Sequence, residues 1–137
     1  MPDQDFEIVE HTADWAIRVY GRDLRHLLLN AARGMTSLMA ADLEAIPLDT
    51  ERSLEWEAFD DETLLVDWLS ELAYLAESEG LVFRDYALAE VAPRHWRAVV
   101  RGGPAAELQK HIKAVTYHNL EITKTAEGLQ VTVVLDA

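Results

Sequence analysis

The stretch "EHTADW", residues 10–15, sets an acid, an imidazole, a hydroxyl and a second acid within five positions, before any helical pattern begins. At the far end, "VVLDA" carries Asp136 as the last residue but one. Taken singly, these residues have ordinary explanations. His11 and Asp14 could bond their own backbone in a turn, and Asp136 could be a solvated carboxylate. Taken together they suggest more. The alternation in "LQVTVVLDA" places Leu129, Val131, Val133 and Leu135 on one strand face and Asp136 on the other, where packing has no use for it. Asp14 and Asp136 would offer two hard oxygen ligands, and the α-carboxylate of Ala137 a third. Oxygen-only sets suit Ca²⁺, Mn²⁺ or Mg²⁺ rather than zinc.

Other chemistries find less support. His26, His95, His111 and His118 lack the spacing of a metal-binding helix, and no glycine-rich phosphate loop precedes a helix. Ser37, Ser53, Ser70 and Ser78 stand outside any nucleophile-elbow context. There is no cysteine, which removes disulfides, thiolate zinc sites and cysteine nucleophiles. The chain does not read as a self-sufficient enzyme.

The elements that must position these residues follow from periodicity. "WAIRVYG" (15–21) alternates as a strand. Asp23 can cap a helix over about 23–40, with Leu24, Leu27, Leu28, Ala31, Ala32, Met35, Leu38 and Met39 on its buried stripe. Gly34 within that stripe suggests close approach of another element. "RSLEWEAF" (52–59) alternates as a half-buried strand, and Asp60 or Asp61 caps a second helix over about 61–79 that ends at Gly80. "LVFRDYALAEV" and "RHWRAVVRG" are two strands joined at "APR". "GGPAAELQKHI" is expected to break and then form one or two helical turns, with Pro104 in the first. "HNLEITKT" and "LQVTVVLDA" read as a hairpin around "AEG", where Gly128 supplies a positive φ.

The resulting order is strand–helix–strand–strand with a second such unit, about residues 51–102, inserted into it. This makes an α+β fold, with two helices packed on mostly antiparallel sheet and residues 1–137 as a single domain. If the outer unit is one sheet, the first and last strands share a layer, and Asp14 and Asp136 become neighbours. Trp56, Trp68 and Trp96 fall on apolar faces and belong to the core.

Composition bounds the partners. Half of the 137 residues are apolar, which is ample for one core. No run approaches the ~18 consecutive apolar residues of a membrane span, and "MPDQDFEIVE" lacks the features of a signal peptide. A cytoplasmic location is expected. Twenty-five acids against twelve bases give a net charge of −13, with the basic residues scattered singly. Strong direct nucleic-acid binding is not expected of such a surface. The acidity serves solubility, or complements a basic partner or a divalent cation.

"EHTADWAIRVYG", "LLLNAARGM", "LLVDWLSELAYLAE", "KAVTYHNLEI" and the ending "VTVVLDA" occur in order over nearly the whole chain, and together they resemble the archease family. The resemblance implies a cytoplasmic, chaperone-like accessory protein for tRNA splicing and processing. Its partner would be an RtcB-type RNA ligase that uses GTP and Mn²⁺. The accessory protein would promote guanylylation of the ligase's own histidine and its multiple turnover. The resemblance also implies an acidic metal site, carried here by Asp14, Asp136 and Ala137. Where the family often ends in isoleucine or valine, this chain has alanine. Lys113, in "IKAVTYHNL", and His11 would serve partner activation. Two other functions are compatible with the residues: a chaperone or modulator of an RNA-modifying enzyme such as a tRNA methyltransferase, and a small metal-dependent hydrolase built on Asp14 and Asp136.

Overall fold

Helix α1 (Leu24–Met39) begins where the Asp23 carboxylate accepts the His26 N–H at 2.9 Å, satisfying a donor that a helix N-terminus leaves open. In the computed structural model, which describes residues 5–10 and 15–137, this helix lies on strand β2 (Trp15–Gly21). Its apolar stripe meets Ile17 and Val19, both fully buried. Strand β1 (Phe6–Glu10) pairs with β2 and brings the Phe6 ring against Gly34. A Cβ at Gly34 would lie 3.1 Å from that ring, which explains the glycine inside the helix.

Strand β3 (Thr50–Glu57) alternates half-buried and exposed residues throughout. Helix α2 (Asp61–Glu79) follows, capped by Asp60, whose carboxylate accepts the Thr63 N–H at 2.7 Å. It stops at Gly80, which takes the left-handed conformation (φ 66°) that glycine adopts without steric cost. Strands β4 (Leu81–Ala92) and β5 (His95–Pro104) then form a hairpin, and β3 pairs with β5. These three strands make a sheet of their own in the order β3-β5-β4. The insertion expected at about 51–102 is therefore a separate sheet bounded by residues 50 and 104.

The chain returns to the first sheet through β6 (Ala114–Thr116), β7 (Thr123–Thr125) and β8 (Gly128–Asp136). The order there is β1-β2-β8-β6, with β7 also paired to β8. All strand pairs among the described residues are antiparallel. One buried cluster joins the two sheets and both helices. Within it, Trp68 is stacked on Trp56 at 5.1 Å, and its indole N–H donates to the Leu28 carbonyl of α1 at 2.9 Å.

Two expectations are corrected. Residues 105–113 form no helical turns: Pro104 is paired with Leu81 at the end of β5. The following backbone donors are taken by other elements, Ala105 N–H by the Gly80 carbonyl and Gln109 N–H by the Met39 carbonyl. "HNLEITKT" is strand only at Thr123–Thr125, because Asn119 turns left-handed (φ 51°) and the Ile122 N–H bonds the Glu62 carboxylate of α2. Trp68 and Trp96 are core residues as expected, and Trp56 packs partly buried beside them. No helix of the described residues is long and apolar enough to cross a membrane.

Candidate functional site

Strands β2 and β8 lie side by side because their inward residues match: Ile17 faces Val133 and Val19 faces Val131, all essentially without exposure. This register continues to Trp15 opposite Leu135. Trp15 directly follows Asp14 in the chain, and Leu135 directly precedes Asp136. Trp15 is also in register with Glu10 of β1. His11 and Asp14 themselves lie outside the described residues.

On the other side of β8, Ala114 is in register with Asp136, and the Lys113 N–H donates to the Asp136 carbonyl at 2.7 Å. Lys113, Asp136 and Ala137 are all exposed. The pairing thus gathers three of the residues singled out in the sequence at one end of the outer sheet. Among the described residues the Asp136 carboxylate has no hydrogen-bond or ion-pair partner. Its oxygens and those of Ala137 are the hard donors that a Ca²⁺, Mn²⁺ or Mg²⁺ ion prefers. Among the described residues, no three or more His, Asp or Glu side chains are grouped to hold a metal ion. A complete ligand shell at this end therefore needs donors beyond Asp136 and Ala137.

Sequence reading missed Lys110. Its ammonium lies over the Trp15 ring, 4.1 Å from the centroid, a cation–π contact beside the same strand end. No periodic signal marks it, because 105–113 is irregular and its position depends on the Met39 carbonyl holding Gln109. A cleft of about 310 Å³ runs between α2 and β6, lined by Tyr74, Glu77, Ile112 and Lys113 among others. The remaining histidines sit apart, each with its own local partner: His26 with the Arg22 N–H, His95 with Glu55, His111 with Glu77 and His118 with Asn119.

The described geometry defines a small α+β protein of two nested antiparallel sheets, with a polar strand end where its first and last long strands meet. Residues 6–137 match the model of the Archease protein family, and the chain belongs to that family. A protein archease from Methanosarcina barkeri is 36% identical, the match covering 97% of this chain and 96% of the relative. The solution structure of Methanobacterium thermoautotrophicum protein 1598 superposes with a TM-score of 0.79 at 28% identity, covering 97% of this chain and 99% of that one. The crystal structure of an archease from Thermotoga maritima, described as a possible chaperone, gives a TM-score of 0.64 at 24% identity, covers 96% of each chain, and shares the fold.

Proposed function

We propose that this protein is the accessory factor of an RtcB-type, GTP-dependent RNA ligase in tRNA splicing or RNA repair. It would promote guanylylation of the ligase's own histidine and allow the ligase to turn over repeatedly. The observation that carries this reading is family membership over residues 6–137, joined to a fold in which Lys113, Asp136 and Ala137 converge on the strand end next to Trp15. Asp14, Asp136 and an oxygen of Ala137 would hold a divalent cation. When bound, such an ion supplies concentrated positive charge for phosphate oxygens. Lys113 and His11 would act toward the partner. The net charge of −13 suits docking beside a basic RNA-binding cleft and disfavours competition for the RNA itself.

The test is an RNA-joining assay with substrate in excess over ligase. Added protein should raise both the number of turnovers and the extent of ligase guanylylation, and should join nothing alone. Asp136→Asn should abolish activation and divalent-ion binding by calorimetry while leaving the melting temperature of the metal-free protein nearly unchanged, since the side chain is exposed. Unaltered turnover with the cognate ligase rules the reading out. A second reading comes from the Thermotoga maritima archease described as a possible chaperone: here the partner would be an RNA-modifying enzyme such as a tRNA methyltransferase. Protection of such an enzyme from aggregation, without any effect on ligation, would favour it.

A further inference from the structure

The insert has an open edge. β3 is an outer strand of its sheet, and no strand covers its other side among the described residues. The Ala58 N–H donates to the Arg94 carbonyl at 3.1 Å, which fixes the phase of the β3–β5 ladder. Backbone groups alternate in an antiparallel pair, so those of Arg52, Leu54 and Trp56 turn toward β5, and those of Ser53 and Glu55 turn toward the open side. Beside this edge, between β3 and α2, runs a groove of about 650 Å³ lined by Ser53, Leu54, Glu55 and Trp56 of β3 and by Asp67, Trp68, Glu71 and Tyr74 of α2. The Arg52–Glu79 ion pair (2.7 Å) ties β3 to α2 toward one end, and the Trp56 indole N–H on the Leu64 carbonyl (3.1 Å) ties them toward the other. Between those two residues of β3 lies ~13 Å of extended chain, room for about four residues.

The charge around the groove selects the occupant. Asp67 and Glu71 are exposed, one helical turn apart, and neither has an ion-pair partner among the described residues. Like charges at this spacing repel, and a cation set between them relieves the repulsion. On the exposed face of β3, Glu51 is held by Arg101 (3.1 Å) and Glu55 by His95 (2.6 Å) and Arg97 (3.3 Å), so among the described residues the open acids beside the edge are Asp67 and Glu71 of α2 and Glu57 of β3. A second copy of this chain is disfavoured, because each copy carries a net charge of −13 and would bring its own Asp67 and Glu71 beside the shared edge. We propose that the β3 edge and the α2 groove form a docking site for an extended, lysine- or arginine-rich peptide segment of a partner protein, which adds to the insert sheet as a fourth strand. Its backbone would bond Ser53 and Glu55, and its inward side chains would meet Asp67, Glu71 and the Tyr74 ring. The site is built wholly from the insert and does not depend on which enzyme is the partner.

The experiment titrates the full chain with three blocked hexapeptides: alternating lysine and valine, the same sequence methylated at every backbone nitrogen, and alternating glutamate and valine. The lysine peptide should bind and shift the amide resonances of Ser53 and Glu55. The methylated peptide keeps the charge but cannot extend a sheet, so it should bind at least tenfold more weakly. The glutamate peptide should not bind. A protein carrying Asp67→Lys and Glu71→Lys should lose at least tenfold in affinity for the lysine peptide. Equal binding of the methylated peptide would reduce the site to bulk charge attraction and overturn the proposal. So would shifts confined to other strands, no binding of the lysine peptide at millimolar concentration, unchanged affinity in the double variant, or self-association through the β3 edge.

Discussion

Asp60 and Asp61 stand side by side at the start of α2 and titrate in opposite directions. The Thr63 N–H holds the Asp60 carboxylate below its ordinary range, whereas desolvation, followed by the neighbouring Glu62 charge, lifts that of Asp61. A depressed carboxylate contributes stability that is present above its unfolded pKa, about 4, and lost as the pH falls through the folded value. A raised one does the reverse and favours the fold as acid protonates it. Asp60→Asn, which keeps the cap without the charge, should therefore flatten the acid limb of a melting-temperature profile taken from pH 7 to 2. Asp61→Asn should steepen it. Parallel profiles for both variants and the unaltered protein would show that neither carboxylate is coupled to folding. A cap at residue 60 or 61 was legible in the sequence because a helix N-terminus needs a short acceptor at one fixed place, and the Thr63 N–H selects Asp60. The exposed place of Asp136 at the end of β8 was legible for the opposite reason, as a polar residue where packing needs none. Lys110 was not, since its place over Trp15 is set by a loop with no period of its own.

The same contrast governs the elements. Both helices and the long strands announce themselves by runs of seven or more patterned residues, while β1 and β6, with five and three residues, are too short to stand out. Residues 105–113 misled for a physical reason: their composition suits a helix, but Pro104 and Ala105 are held at the end of β5 by Leu81 and the Gly80 carbonyl, and the Met39 carbonyl captures the Gln109 amide that a helix would use. Tertiary partners decide such a segment, and they are not adjacent in sequence. The junction of the two helices is held by Trp68, which is 1% exposed, bonds Leu28 across to α1 and meets the Tyr86 ring edge-on at 6.0 Å. Trp68→Ala should cost about 3–5 kcal/mol by urea unfolding, the range for removing a large buried side chain. Trp68→Phe keeps much of the volume but withdraws the indole donor from the Leu28 carbonyl, and should cost about 1–3 kcal/mol. Equal losses would assign the whole effect to that hydrogen bond.

Taken as one molecule, the protein has two sheets that share one large buried cluster, with α1 resting on both β2 and β4 and α2 on both β4 and β6. Neither sheet can bury its apolar face without a helix that the other also uses. Unfolding should therefore be a single cooperative transition. Far-ultraviolet circular dichroism and tryptophan fluorescence should give the same midpoint in urea, because Trp56, Trp68 and Trp96 report on the insert and Trp15 on the outer sheet. Two resolved midpoints would mean that residues 50–104 fold on their own. The nested order was readable from the pattern of elements. The sharing of helices between sheets was not, since periodicity tells which face is apolar and never what covers it.

The pairing of β2 with β8 also has a consequence for the order in which the protein can be made. On the ribosome, β2 emerges well before its hydrogen-bonding partner β8, which follows the whole insert. Until then Ile17 and Val19 can be covered on one side by β1 and α1, while the edge meant for β8 stays open. The insert meets no such delay, as β3, β4 and β5 leave the tunnel within one continuous stretch. Synthesis thus passes through a stage in which every strand of the inner sheet has emerged while β2 still lacks β8 and keeps a bare edge. Only when Leu135 reaches Trp15 does that edge close, and the strand end carrying Asp136 comes into being in the same step.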